Sequence, residues 1–353
     1  MAALEHRLPK RVLVTGGSGF VGGVLLEQLR KLGVQCVGIG RSNGSCQRIE
    51  ALGAQSVLGD MHSQSCLSKA LEGADAVVHL AARKSGRNFA DFERDNVQGT
   101  QLLLDMAAKA GVKRFVNLST GSLVAALDPP QPGVSSDVDL PPASWSPYLL
   151  SKWQAEQAVV AANGKGTGEE GSGMATLSLR PCLIWGGAAP FHNNLLELPV
   201  GFVFLGGGRF AYSTIHIDNL VHAIVLTLAC EQFASPSGAL AARAWFVNDG
   251  EGHGGNQGEM PDFRSFITQL QAALGAKEGG ISLPFAPALG LAQALDGLWG
   301  MVNRGQSLNL QAGVRMFGQS IAPSDAQFRQ ASGYRPVVSV AQGLKRLKAA
   351  NER

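Results

Sequence analysis

A glycine-rich run set between a β-branched strand and a helix restricts this chain more than any other feature. Arg11–Thr15 (RVLVT) reads as a buried strand, and Gly16-Gly17-Ser18-Gly19-Phe20-Val21-Gly22 then opens a helix. Glycines at these spacings (GxxGxxG, and GxGxxG from Gly17) let the backbone turn tightly and approach a pyrophosphate, whose charge is favoured at a helix N-terminus. A glycine turn alone is common. One that follows the first strand of an alternating series points to a dinucleotide, with Gly16, Gly19, Phe20, Val21 and Gly22 on its phosphates.

The alternating series is present. Residues 35–39, Gln55–Leu58, residues 76–80, Arg114–Leu118 and residues 175–179 repeat the strand pattern, and residues 21–32, 66–71, 99–110 and 148–162 carry apolar side chains at helical spacing. Parallel strands need crossover helices, so the expected fold is α/β, a doubly wound parallel Rossmann-type sheet. After Trp185 the pattern loosens into a segment rich in glycine and aromatics, before a helix at 218–229 and a strand at 245–248. The expected organisation is a dinucleotide-binding domain over 10–185, to which 214–249 return, and a smaller C-terminal substrate-binding lobe over 186–213 and 250–353. Residues 163–173 and 250–261 are too glycine-rich and polar to pack a core and read as loop insertions.

Composition narrows the function. Of 353 residues 45% are apolar and 16% charged, the balance of an ordinary globular enzyme. The net charge is +3 with cations scattered, so there is no basic stripe for nucleic acid. Five cysteines without CxxC spacing argue against a disulfide framework or a zinc site, and no His/Asp/Glu/Cys cluster has metal-ligand spacing. No metal is expected, and a reducing, cytoplasmic setting is. The N-terminus lacks the apolar core of a secretory signal. Residues 283–302 come nearest to a membrane span, but Gln293, Asp296, two prolines and three glycines interrupt them. They read as a helix packed over the substrate, with peripheral membrane contact as the alternative.

Three further positions carry chemistry. The second strand ends Gly38-Ile39-Gly40-Arg41, without the acid that would bind a ribose 2′-hydroxyl. Arg41 suits a 2′-phosphate, so NADP is favoured over NAD, the other reading being a solvated loop arginine. Tyr148 and Lys152, four apart on a helix, share a face. A phenol titrates near 10; a neighbouring ammonium and the positive nicotinamide ring are expected to lower that value and make Tyr148 a proton donor and acceptor. Leu118-Ser119-Thr120-Gly121-Ser122 follows a strand where parallel sheets bind ligands, and Thr120, then Ser122, are the hydroxyls expected beside Tyr148 on the substrate oxygen. Such hydroxyls also serve as local turn caps. His79, His216 and His222 read as packed or capping groups.

In this company the chain resembles the extended short-chain dehydrogenase/reductase superfamily from Arg11 to about Lys348. The motifs that carry the resemblance are TGGSGFVGG, GDM, HLAA, NVQGT, LST, YLLSK, LRP and IHIDNLVHA, in that order. It implies that Asp60 and Met61 border the adenine, that Ala81 and Ala82 follow the central ribose and phosphates, and that Lys152 also holds the nicotinamide ribose. It further implies that Pro181 and Leu183 pack near the carboxamide and that Asn96 braces the sheet. Asn219 within its motif and Arg209-Phe210-Ala211-Tyr212-Ser213-Thr214 resemble the 3β-hydroxysteroid dehydrogenase branch, which includes sterol 4-carboxylate 3-dehydrogenases. Phe202, Phe204 and Phe210 are expected to line an apolar substrate pocket. The leading expectation is an NAD(P)-dependent oxidoreductase of a hydrophobic secondary alcohol or ketone, sterol-like or a long-chain β-hydroxy/β-keto compound. A sugar-nucleotide epimerase or dehydratase and a non-catalytic nucleotide-binding subunit are the rivals. A homodimer stays open.

Overall fold

The computed structural model describes residues 7–86, 88–166, 173–197, 201–250, 262–302 and 308–352. Its first half alternates as the apolar periodicity requires. β1 (Arg11–Thr15), α1 (Phe20–Lys31), β2 (Gln35–Gly40), α2 (Asn43–Ala51), β3 (Gln55–Leu58), α3 (Gln64–Leu71) and β4 (Ala76–His79) follow one another through short turns. A loop then leads to α4 (Phe89–Phe92), a π-helical turn (Glu93–Gln98), α5 (Gly99–Lys109) and β5 (Arg114–Leu118). A single 3-10 stretch (Gly121–Ala126) precedes α6 (Pro147–Ala161) and β6 (Ala175–Pro181). Short pieces follow: β7 (Leu183–Trp185), α7 (Pro190–Glu197), β8 (Phe202–Leu205), β9 (Thr214–His216), α8 (Ile217–Ala229) and β10 (Arg243–Val247). The C-terminal part contributes α9 (Phe263–Leu274), β11 (Gly280–Leu283), α10 (Phe285–Val302), α11 (Leu310–Phe317), α12 (Ala326–Ser332) and α13 (Val340–Asn351).

Seven parallel strands make one sheet in the order β10-β6-β5-β4-β1-β2-β3. The fold is thus the doubly wound Rossmann type. Apart from the edge strand β3, its strands are buried on both faces, which is why they read as near-continuous apolar runs. Val12, Val14, Val78 and Val116 face α1 and α8 through Leu25, Leu29, Leu220 and Ile224. The alternate residues Leu13, Val77 and Phe115 face α3, α5 and α6 through Leu67, Leu103 and Val159. Burying each such side chain contributes about 1.5–3 kcal/mol. The chain order reverses between β1 and β4, so the loops at their C-terminal ends diverge and leave a crevice there.

A buried carboxylate fastens the later segments to this sheet. Asp249 follows β10; its Oδ2 accepts from Trp185 Nε1 and Thr214 Oγ1, both at 2.8 Å, and its Oδ1 from the His216 N–H and Asn219 Nδ2, both at 2.7 Å. Asn219 Oδ1 in turn accepts from the N–H groups of Val337 and Val338. Burial pushes the Asp249 carboxyl up to about 6 and the four donors act against that rise, so it is ionised at neutral pH. His216 caps α8 by accepting from the Asp218 N–H and packs edge-on to Trp185, while His222 lies against Tyr334.

Two expectations about the later segments are corrected. Residues 283–302 do not pack over the substrate: Ala292 is the buried residue of α10, and Leu291, Leu295, Leu298 and Val302 are exposed. One edge of the helix is enough to seat it on α11, which leaves the rest of the apolar run on the surface. Among the described residues no helix is long and apolar enough to cross a membrane. The loop insertion expected at 250–261 lies, beyond Gly250, outside the described residues, as do 167–172 of the insertion expected at 163–173.

Candidate active site

At the C-terminal ends of β1, β2, β4, β5 and β6 a cavity of about 870 Å³ opens. Every residue singled out from the sequence for cofactor or catalysis lines it: Gly16, Gly19, Phe20, Val21, Gly22, Arg41, Asp60, Met61, Ala81, Ala82, Thr120, Ser122, Tyr148, Lys152, Pro181 and Leu183. Room and charge at the glycine loop suit a dinucleotide. Gly16 has φ +72°, and a Cβ there would fall 2.9 Å from the Ala81 nitrogen; one at Gly22 would fall 2.2 Å from the Gly16 carbonyl oxygen. The loop and the helix can therefore meet only without side chains. The first turn of α1 carries no acid, and its N-cap, Gly19, offers no side-chain acceptor, so its N–H groups are left for an anion.

At the far end, Arg41 stands just beyond β2 on the cavity wall, and no acid ends that strand. The sequence reading missed two companions, Ser45 and Arg48, which line the same end. They belong to α2, whose first turn is fixed by Ser42 accepting from the Ser45 N–H, and Arg48 Nη2 donates to Ser45 Oγ at 3.4 Å. Asp60 accepts from the His62 N–H in a tight turn beside Met61.

The proton-handling groups sit at the opposite end. Ser146 caps α6 by accepting from the Leu149 N–H, and Pro147 occupies the first helical turn, which fixes where Tyr148 begins to project. Tyr148 meets the cavity with Phe92 packed edge-on 6.3 Å away. Lys152 is buried one turn on, its Nζ donating to the Leu118 carbonyl oxygen at 2.5 Å. The protein's own groups act against the expected depression: burial pushes the Tyr148 phenol up to about 12, and burial brings the Lys152 ammonium down to about 8, before any nicotinamide charge is added. Tyr148 is accordingly a protonated phenol at neutral pH, the form that donates. Thr120 Oγ1 accepts from the Ser122 N–H at 3.2 Å, so it caps the turn and still has its own O–H to give.

Asn96, expected to brace the sheet, instead braces a loop against a helix. Its Oδ1 accepts from the Arg83 N–H at 2.7 Å, and its Nδ2 donates to the Arg83 carbonyl at 3.0 Å and to Ser151 Oγ at 2.9 Å. It therefore clamps the loop that carries Ala81 and Ala82 to the helix that carries Tyr148 and Lys152. The clamp comes from the π-helical turn, whose wider coil is a frequent mark of functional positions. Asp95 holds the Arg83 guanidinium from the same turn at 2.7 Å. His79 is buried between Thr15 Oγ1 and Thr100 Oγ1; desolvation and then the charge of Lys152 take it down to about 3, so it is neutral and structural.

Beyond Tyr148 the cavity widens between Phe92, Pro190, Phe191, Tyr212, Ala312, Gly313, Met316 and Phe317. The aromatic residues expected here, Phe202, Phe204 and Phe210, are elsewhere. Phe204 is fully buried, and Phe202 and Phe210 pack on Phe263 at 5.8 Å, within a core under α9. The wall is formed instead by α11, held where Tyr212 Oη donates to the Met316 carbonyl at 2.9 Å and stacks near Phe317. Among the described lining residues from Leu183 onward there is no lysine or arginine. Arg264 lies over Phe204 and Arg315 over Trp145, outside that lining.

Residues 13–285 match the model of the 3-beta hydroxysteroid dehydrogenase/isomerase family. The chain is 32% identical to a 4-hydroxy-2-methyl-3-oxo-4-farnesyl-3,4-dihydroquinoline-1-oxide ketoreductase of Stigmatella aurantiaca, over 96% of both chains. It is 30% identical to a 2-alkyl-3-oxoalkanoate reductase of Stenotrophomonas maltophilia, over 97% of this chain and 99% of that one. It is also 26% identical to a decarboxylating sterol-4-alpha-carboxylate 3-dehydrogenase of Dictyostelium discoideum, over 96% of this chain and all of that one (100%). Among solved structures, MoeE5 in complex with UDP-glucuronic acid and NAD superposes with a TM-score of 0.68 at 22% identity, covering 95% of this chain and 96% of that one. The UDP-glucuronic acid 4-epimerase of Bacillus cereus in complex with NAD does so with a TM-score of 0.69 at 20% identity, covering 97% and 99%. These two establish the shared fold. Motifs, cleft and relatives agree: the chain is an NAD(P)-dependent oxidoreductase of hydroxyl and keto groups and belongs to the 3-beta hydroxysteroid dehydrogenase/isomerase family.

Proposed function

We propose that the protein is an NADP(H)-dependent reductase of a bulky apolar ketone, sterol-like or a long-chain 3-oxo compound, reversible in the alcohol direction. The observation that carries this reading is the substrate side of the cleft. From Leu183 onward its described lining is apolar and aromatic apart from Asn309 and holds no cation, the cations Arg83, Lys84 and Arg94 lying on the loop after β4 and the π-helical turn. A sugar nucleotide brings two phosphate charges that such a wall leaves unpaired, and buried unpaired charge is strongly disfavoured. The ketone and 3-oxo acid named for the relatives support the same reading.

The cofactor would lie along the glycine loop, with its pyrophosphate at the N-terminus of α1, its adenine by Asp60 and Met61, and its 2′-phosphate toward Arg41, Ser45 and Arg48. The bound dinucleotide supplies the hydride. Tyr148, protonated at neutral pH, gives its proton to the substrate oxygen. Thr120 donates a second hydrogen bond to that oxygen, with Ser122 beside it. Lys152 holds the nicotinamide ribose hydroxyls and places a positive charge near the phenolate that Tyr148 becomes. Pro181 and Leu183 wall the carboxamide. In this reading residues 10–185 with 214–249 are the cofactor domain, and 186–213 with 250–353 the substrate lobe. Five unpaired cysteines support a reducing, cytoplasmic setting.

The test is to mix the protein with NADPH or NADH and, separately, sterol ketones, long-chain 3-oxo acids and UDP-sugars, following cofactor absorbance and product. Oxidation of NADPH in step with alcohol formed from an apolar ketone is the expected result. Conversion of a UDP-sugar with no net change in cofactor, and no reaction with any ketone, would overturn the reading.

A further inference from the structure

Behind Lys152, away from the cleft, the next turn of α6 carries Glu156. Lys152 is 4% exposed and Glu156 1%. Residues four apart on a helix stand about 5–6 Å from each other at Cβ, so the ammonium and the carboxylate share one dry face. Glu156 has another partner. Arg180 on β6, itself 5% exposed, donates from Nε at 3.0 and 3.1 Å and from Nη2 at 2.5 Å. The guanidinium lies 5.0 Å from the centre of the Phe246 ring, and its Nη1 has no hydrogen-bond partner among the described residues. A buried ion pair is weak evidence for stability, because taking both ions out of water offsets most of their attraction. Its place one helical turn from a buried lysine suggests a use for its charge.

The charged and titratable groups around Lys152 come from three directions. Tyr148 and Glu156 share its helix; Arg180 approaches from β6; His79, neutral, ends β4, and Lys84 follows it in the next loop. Glu156 is the anion of this set, while Lys84 and Arg180 repel an ammonium. We propose that Glu156, fixed in place by Arg180, is a positioning residue whose carboxylate keeps buried Lys152 in its charged form facing Tyr148. The inference rests on the Tyr148–Lys152 reading of the site. The field at Lys152 agrees with it: burial lowers the ammonium to about 8, and Glu156 is the leading influence in the opposite direction. Arg180 also immediately precedes Pro181 and Cys182, which line the cavity, so the same pair ties the catalytic helix to that wall.

The experiment reads the amine directly. Trace acetylation with acetic anhydride between about pH 6 and 11, with the Lys152 peptide quantified by mass spectrometry, gives the ammonium midpoint without substrate or turnover. Glu156→Gln leaves Arg180 as an unopposed cation, so the midpoint should fall by about one pH unit or more. Arg180→Met directs the whole carboxylate at Lys152, and the midpoint should rise. The double variant, with neither charge, should fall between wild type and Glu156→Gln, and it supplies the reading if Glu156→Gln does not fold. Damage to packing alone would move both single variants the same way. Midpoints that stay within about 0.3 unit of wild type, or that move together, would overturn the proposal. A shift as expected in a protein that reduces no ketone would overturn the functional reading and leave this one standing.

Discussion

The two sides of the cleft are built differently. The cofactor side is set at the ends of parallel strands, where ladder hydrogen bonds and a packed core on each face hold the glycine loop, Ala81, Ala82 and Thr120, with Arg41 and Arg48 at its far end. The substrate side is made of large side chains from Pro190, Phe191, Tyr212 and the short helix α11, none of which lies on a strand of the central sheet. The glycine loop and the GDM, HLAA and LST motifs fall on the first side, and the apolar walls that would meet the substrate on the second.

That contrast is open to direct attack. Tyr148→Phe keeps the ring and removes the proton, so turnover should fall by about 100-fold or more with cofactor affinity nearly unchanged; stopped-flow reduction and a fluorescence titration would check both. Near-normal turnover would remove Tyr148 from the chemistry. Next in size, Arg41→Ala and Arg48→Ala should each weaken NADPH by roughly 10-fold while leaving NADH unchanged, as loss of a charge-assisted hydrogen bond requires. A wild type that binds NADH as tightly as NADPH would contradict the 2′-phosphate assignment. On the other side, Met316→Ala should alter the preference between short and long ketones by about 10-fold with little effect on cofactor binding. Equal losses for all ketones would mean that the wall serves the fold and not selection. Smallest of all, Leu298→Gln on the exposed face of α10 should change stability by less than about 0.5 kcal/mol in a denaturant titration. A larger loss would show that this face is covered in solution.

The same contrast decided how much could be read from the sequence. A phosphate loop must be contiguous backbone, so TGGSGFVGG announces both the fold and the cofactor. Tyr148 and Lys152 lie on one helix, so their spacing is visible too. Ser45 and Arg48 were missed because α2 buries little beyond Cys46 and Ile49 and leaves no apolar periodicity to find. The signal available was the basic residue seven positions after Arg41. Phe202 and Phe204 were misplaced for a different reason. They alternate on a strand of four residues, and nothing in four residues says whether their shared face meets a cleft or a core; Phe263, 59 to 61 positions away, settles it. The π-helical clamp at Asn96 and the Glu156–Arg180 pair depend on contacts between distant elements and leave no local trace.

Asp296 is the one charged residue of α10, and its carboxylate accepts from the backbone N–H groups of Leu310 at 3.4 Å and Gln311 at 2.9 Å, at the start of α11. The chamber's outer partition is therefore moored on its outer side to a surface strut, while Asn309 Nδ2, donating to the Gly86 carbonyl at 3.2 Å, and Met316, packed on Leu123, Val124 and Leu149, tie its inner side to the frame that holds the proton donor. A lineage could lengthen, shorten or tilt α10 and α11 together and admit a different carbon skeleton, with the reacting oxygen still delivered to Tyr148 and Thr120.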